Sequence, residues 1–234
     1  MFSVALALVV ALLNPMVDVD PDCWAVEIVG VRGSGQIGYG EQVQPVVDTV
    51  HRSLTSAGHT VRSSPLDYTA VSVSDSLGFV LLNGEYDRSV MDGVSALQST
   101  LQAIKAACPA TDIVLIAYSQ GAQVVKTALE GTAPVHRIAA IVLMADPTRD
   151  SDQRGITRLG DPQLERDGSF GAIALPDYAR VVAIDVCAAG DGICERGRRS
   201  FTAHTFGYAD VAPLVLPIIE TEFRGRPASV FKAS

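Results

Sequence analysis

Apolar and polar positions alternate along this chain between two periods. Short apolar runs rich in β-branched residues occur at 24–31 (WAVEIVGV), 113–116 (IVLI) and 138–144 (IAAIVLM). Runs of this length read as strands buried on both faces. Another strand starts over His59–Arg62, and Arg180–Val186 is the last. The segments between them follow helical spacing. Val43–Ala57 places apolar residues at 43, 46, 47, 50 and 54, with Pro45 in the first turn and Gly58 as a stop. Arg88–Ala107 aligns Val90, Val94, Leu97, Leu101 and Ile104 on one stripe, and Pro213–Phe223 closes the chain as a helix whose start Pro217 weakens. Val71–Gly84 reads as a loop with an apolar run, and 148–177 is polar and Gly-rich without a clear period. Strands alternating with helices predict an α/β fold: a three-layer α/β/α sandwich around a central, mostly parallel five-stranded sheet with right-handed crossovers. No repeat or linker divides residues 19–234, which read as one domain.

The first residues, MFSVALALVVALL, have the length of a secretory signal and are too short to span a bilayer. Residues 1–18 are therefore read as a signal peptide and the mature protein as secreted. The signal is atypical: no Lys or Arg precedes Arg32 and no A-x-A site is visible. Apolar residues make up 48% and charged residues 19%, which excludes a disordered chain. The net charge of −8 argues against nucleic acid and anionic membranes as partners, since both need basic patches. Stable membrane insertion is not expected, and a monomer is. The cysteines are Cys23, Cys108, Cys187 and Cys194. In an exported chain they read as two disulfides; three pairings are open, and proximity favours Cys187 with Cys194, leaving Cys23 with Cys108. No C-x-x-C pair and no His at ligand spacing supports a metal, and no cofactor is expected.

The chemistry centres on Ile113–Val125, IVLIAYSQGAQVV. A buried strand turns sharply through Ala117-Tyr118-Ser119-Gln120-Gly121 into helix formers. Strand, turn and helix around a Ser with a small residue two positions to either side is the nucleophile elbow, which presents a Ser hydroxyl at the carboxyl end of a sheet before a helix N-terminus. A Ser N-cap on an ordinary βα unit is the plainer reading. The Gly-rich loop Arg32–Gly40 after the first strand lacks both GxxxxGK[ST] and GxGxxG. Its better-motivated role is to donate an N–H to an oxyanion hole.

Ser119 needs a base. His51 lies inside a helix, and His59 and His136 precede strands, at the amino edge of the sheet. His204 lies in a loop after the last strand and follows Ser119 in the order Ser…Asp…His. Asp146, Asp185 and Asp191 are the candidate carboxylates. Asp146 reads as a turn residue before Pro147, and Asp185 sits within a strand. Asp191 lies between Cys187 and Cys194, where a disulfide would remove only about 2.5 kcal/mol of denatured-state entropy. So small a loop makes better sense as a rigid mount for one side chain.

These pieces resemble the cutinase family of serine esterases. The matching residues are Arg32-Gly33-Ser34, Cys108-Pro109, Tyr118-Ser119-Gln120-Gly121-Ala122, Cys187…Gly190-Asp191…Cys194 and His204, spanning roughly 23–224. The resemblance implies a catalytic triad of Ser119, His204 and Asp191. It implies an oxyanion hole from Ser34 and the Gln120 N–H, with Asn83 buttressing Ser34. It supports the pairs Cys23–Cys108 and Cys187–Cys194 and a small hydrolase fold without a large lid. Ala117 stands where the family usually has the first Gly of the elbow, and 148–177 is not matched. Apolar residues near 79–82 and 206–216, Leu81 and Phe206 among them, are expected to grip an acyl chain. The expected activity is hydrolysis of carboxylic esters: cutin-like polyesters, short- to medium-chain acyl esters or lipids. A cell-wall lipid esterase of lysin type acting on mycolate esters is the alternative within the class. A non-catalytic lipid-binding module is the alternative outside it.

Overall fold

A computed structural model of the chain describes residues 23–73, 84–130, 137–160, 166–180, 183–197 and 200–226. The elements in order are β1 (Val26–Val31), α1 (Gln44–Ser56), β2 (Val61–Pro65), α2 (Glu85–Ala107), β3 (Asp112–Tyr118), α3 (Gln120–Leu129), β4 (Ile138–Met144), β5 (Thr157–Gly160), α4 (Asp177–Arg180), β6 (Ala183–Cys187), α5 (Phe201–Phe206) and α6 (Val211–Phe223). The strands form one sheet in the order β2-β1-β3-β4-β6-β5, with every neighbouring pair parallel.

The apolar runs occupy the middle of the sheet because both faces there are covered. Val29, Val31, Leu115, Ala117, Ile141 and Leu143 face α2 and α3. Ile28, Val114, Ile116, Val142 and Met144 face α1 and α6. Each fully buried aliphatic side chain contributes about 1.5–3 kcal/mol relative to exposure. The three layers thus follow from strand residues pointing alternately to two apolar faces. The disulfide Cys23–Cys108, Cα–Cα 5.5 Å, fastens the chain just before β1 to the end of α2.

The sheet has six strands among the described residues, not the five expected. The sixth, β5, lies inside 148–177. Its four residues, TRLG, are exposed or half-buried at the sheet edge, and with only β6 as a neighbour they need no apolar run. The C-terminal helix begins two residues before the predicted start and carries Pro217 in its interior. The expected signal segment 1–18, the apolar run 78–83 and His136 lie outside the described residues.

One topological feature places the site. From β1 the chain runs outward to β2, then returns to lay β3 on the other side of β1. The connection after β1 leads to α1 on one face, and that after β3 leads to α3 on the other. A crevice opens between the carboxyl ends of two such strands, where ligands bind in open α/β sheets.

Candidate active site

β3 ends at Tyr118 and α3 begins at Gln120, so the whole change of direction falls on Ser119. Its backbone has φ 53° and ψ −120°, a region that non-glycine residues rarely occupy. The Ser119 N–H still donates to the Met144 carbonyl at 2.8 Å, and the Ala122 N–H donates back to the Ser119 carbonyl at 2.8 Å. Gly121 is required by close approach: a Cβ there would lie 2.2 Å from the Val31 carbonyl oxygen and 2.5 Å from that of Arg32. Ala117 is fully buried, as its place in the elbow demands.

His204 reaches this turn from the segment that follows β6. It lies in the short helix α5 and not in the loop expected, because Ser200 caps that helix by accepting from the Ala203 N–H at 3.1 Å. His204 Nε2 lies 3.1 Å from Ser119 Oγ. Its Nδ1 lies 3.0 Å from Asp191 Oδ2 and 3.1 Å from Oδ1. Asp191 is fully buried, while the His204 side chain keeps 15% exposure toward the groove. The disulfide Cys187–Cys194, Cα–Cα 5.8 Å, closes the loop that carries Asp191, and the Ile193 N–H donates to Asp191 Oδ1 at 2.8 Å. The structure therefore brings together the three residues singled out from the sequence.

The rival carboxylates are committed elsewhere. Asp146 accepts from the buried Lys126 Nζ at 2.8 Å and from the N–H and hydroxyl of Thr148. Asp185 accepts from Arg149 Nε at 2.8 Å, and burial pushes its carboxyl above the usual range against the pull of that guanidinium.

Two aromatic residues had no assigned role in the sequence. The Tyr118 ring stacks on the His204 ring, centroids 5.1 Å apart, and its hydroxyl donates to the His204 carbonyl at 2.6 Å. The Tyr208 hydroxyl donates to Asp191 Oδ2 at 2.5 Å. The signals were adjacency, Tyr118 preceding Ser119, and spacing, Tyr208 lying four residues beyond His204.

A groove of about 960 Å³ runs over Ser119 and His204. Ser34 and Ser119 both line it, and Gln120 follows Ser119 as the first residue of α3. The loop bearing Ser34 is pinned from below: Arg32 donates to the carbonyls of Leu66 and Tyr68, and the Tyr68 hydroxyl donates back to the Arg32 carbonyl at 2.7 Å. The groove wall also presents Gln36, Tyr39, Gln42, Pro65 and Val73. Gln42 Nε2 donates to the Thr205 carbonyl at 2.9 Å, tying one lip to the other. Phe206, expected to grip an acyl chain, is 72% exposed and is not among the residues that line the groove, whereas Ile37 on the groove wall protrudes at 88%. Leu81 and Asn83 lie outside the described residues. Among the described residues no cluster of ligating side chains could hold a metal ion, and no helix is long and apolar enough to cross a membrane.

A nucleophile elbow on a doubly covered parallel sheet, with His and Asp arriving later in the chain, defines an α/β hydrolase. Within that class the chain belongs to the cutinase family of carboxylic ester hydrolases, whose model, described as Cutinase, matches residues 22–213. It is 26% identical over 205 residues to acetylxylan esterase 2 of Talaromyces purpureogenus, covering 79% of this chain and 81% of that one. It is 30% identical over 201 residues to a cutinase of Kineococcus radiotolerans, covering 80% of this chain and 57% of that longer relative. Among solved structures, the catalytic core of an acetyl xylan esterase from Trichoderma reesei superposes with TM-score 0.67 at 24% identity, covering 86% of this chain and all (100%) of that one. Lysin B of mycobacteriophage D29 superposes with TM-score 0.52 at 16% identity, covering 86% of this chain and 85% of that one. At these identities the structural likenesses speak for the fold alone.

Proposed function

We propose that this chain is a secreted serine esterase that cuts short- to medium-chain acyl esters, including those of polyesters and lipids, through Ser119, His204 and Asp191. The observation that carries this reading is the unbroken line from Ser119 Oγ through both nitrogens of His204 to the buried Asp191 carboxylate. Asp191 holds the proton of His204 on Nδ1, which leaves Nε2 free to accept the Ser119 proton. Ser119 Oγ attacks the ester carbonyl as that proton moves to Nε2. Negative charge gathers on the carbonyl oxygen; in this reading the Gln120 N–H and Ser34 receive it. His204 returns the proton to the departing alcohol, leaving an acyl group on Ser119. Water, deprotonated by Nε2, then releases the acid and restores the hydroxyl.

The groove supports the substrate class. It is open and carries Pro65 and Val73, surfaces for a modest acyl chain, among side chains that offer hydrogen bonds to an alcohol portion. The two disulfides support an oxidising compartment and hence export. Against a non-catalytic lipid-binding module stands the hydrogen-bonded triad itself. Among the described residues that line the groove, none favours mycolate esters in particular.

The test is direct. Wild-type protein should turn over p-nitrophenyl butyrate and take up a fluorophosphonate at one peptide, the one containing residue 119. Ser119→Ala should lose both. Turnover retained in Ser119→Ala would refute the assignment.

A further inference from the structure

The Tyr208 phenol has no part in the steps above, yet it makes the shortest contact to the Asp191 carboxylate. Its hydroxyl oxygen accepts from the Ala188 N–H at 3.1 Å. That bond orients the group, so its own hydrogen is directed at Asp191 Oδ2, 2.5 Å away. Tyr208 is buried, edge-on to Tyr118 at 5.6 Å and with Cys194 Sγ 3.4 Å from its hydroxyl. Gly207 lets this turn lie flat on the disulfide loop: a Cβ there would come within 2.5 Å of Ala188 Cβ and of the Ala203 carbonyl oxygen. The phenol thus joins three parts of the site: the disulfide loop, the carboxylate and the turn that follows His204.

We propose that Tyr208 is a positioning residue of this hydrolase: its hydroxyl fixes Asp191 in line with His204 and tempers the carboxylate's hold on the imidazolium, so setting the pH at which His204 becomes a working base. The inference rests on the triad reading above. The physical reason is a division of charge. A carboxylate oxygen that accepts a short phenolic hydrogen bond has less negative charge to offer a cation. With the donor removed, the imidazolium is held more tightly and gives up its proton at higher pH. Burial, with the Asp191 charge adding to it, pushes the Tyr208 phenol well above its ordinary value, so it stays a donor throughout the neutral range. The ionisable groups facing Asp191 among the described residues are His204 from α5, Tyr208 from the turn after it and Tyr118 from β3. Glu195 meets it through the backbone, its N–H donating to the Asp191 carbonyl at 3.1 Å.

The experiment measures kcat and KM of Tyr208→Phe for p-nitrophenyl butyrate between about pH 5 and pH 9, the window in which His titrates. Active sites are counted by fluorophosphonate uptake, so a misfolded fraction drops out. The acid limb of kcat/KM should move up by about half a unit, with kcat per labelled site down about tenfold and KM within about twofold. An unmoved limb with wild-type kcat per labelled site would overturn the proposal, whatever the loss of stability. If Tyr208→Phe does not fold, 3-fluorotyrosine placed at 208 keeps the shape and donates more strongly. It should move the acid limb down, and an unmoved limb there overturns the proposal equally. Failure of the triad reading is distinguishable, since it would show as a wild type that does not label or a Ser119→Ala that still turns over.

Discussion

Asp191→Asn tests the site at its most constrained point, because the replacement keeps shape and changes one atom's sign. Oδ1 accepts from the Ile193 N–H at 2.8 Å, and Oδ2 accepts from the Tyr208 hydroxyl at 2.5 Å. His204 Nδ1 faces both oxygens. An amide has one oxygen to serve these donors. With the oxygen kept on Ile193, the NH2 group faces the Tyr208 hydroxyl and Nδ1, and the imidazole satisfies it only by moving its proton to Nε2. That proton then points at Ser119 Oγ, and the base is gone. With the amide flipped, its NH2 meets the Ile193 N–H with nothing to accept it. Loss of the correct tautomer should lower kcat by about 10³–10⁴, which is about 4–5.5 kcal/mol at 1.36 kcal/mol per tenfold. The loss of one buried acceptor should cost only about 1–3 kcal/mol of stability. The assay is p-nitrophenyl butyrate hydrolysis alongside circular dichroism and fluorophosphonate labelling. The residual rate should rise with hydroxide concentration, since solution base replaces His204, and labelling should slow in parallel. A folded Asp191→Asn within tenfold of wild-type kcat would refute the argument, because the carboxylate would then not govern the imidazole.

Two further outcomes follow from the same geometry. Gly121→Val puts carbon against the backbone carbonyls of Val31, the last residue of β1, and of Arg32, whose side chain and carbonyl are hydrogen-bonded to the Leu66–Tyr68 segment, so neither gives way easily. It should lower stability by about 3 kcal/mol or more, measured as the urea midpoint; a midpoint equal to wild type would mean that the elbow is looser than described. Replacing both Cys187 and Cys194 with Ser should remove about 2.5 kcal/mol of stability in the chain-entropy model. It should also lower kcat per fluorophosphonate-labelled site about tenfold, since Asp191 loses its clasp; unchanged kcat per labelled site would make the bond purely structural.

What could be read in the sequence was what local physics determines. β3 and β4 are built on continuous apolar runs with a neighbouring strand on each side, and the boundaries expected for them lie within a few residues of those observed. The elbow was legible because its constraints are local: small residues where chains touch, and a strand and a helix either side. β5 was not legible, because an edge strand of four residues with one half-buried side chain needs a partner more than a pattern. The helix around His204 was missed for a related reason. Six residues carry too little periodicity to announce a helix, and the Ser200 cap shows only once the chain has folded. The Tyr118 and Tyr208 contacts are matters of tertiary distance, and a tyrosine is an ordinary core residue until its hydroxyl is seen to have a partner.

The twisted backbone at Ser119 has a consequence for how the molecule fails. Such a conformation is unfavourable by on the order of 1–3 kcal/mol and persists only where its surroundings leave no alternative. Here the restraint is the centre of the sheet: the residue hangs from β4 through its own N–H and is wedged against β1 by the bare Gly121. A second residue in the left-handed region, Ala145 at φ 55°, sits one strand over and is fastened the same way to β6. This strained posture is thus anchored to the central strands, the kind of core element that opens last. On warming, β5 at the margin is the strand expected to fray first, while Ser119 keeps its bearing until the central strands themselves separate.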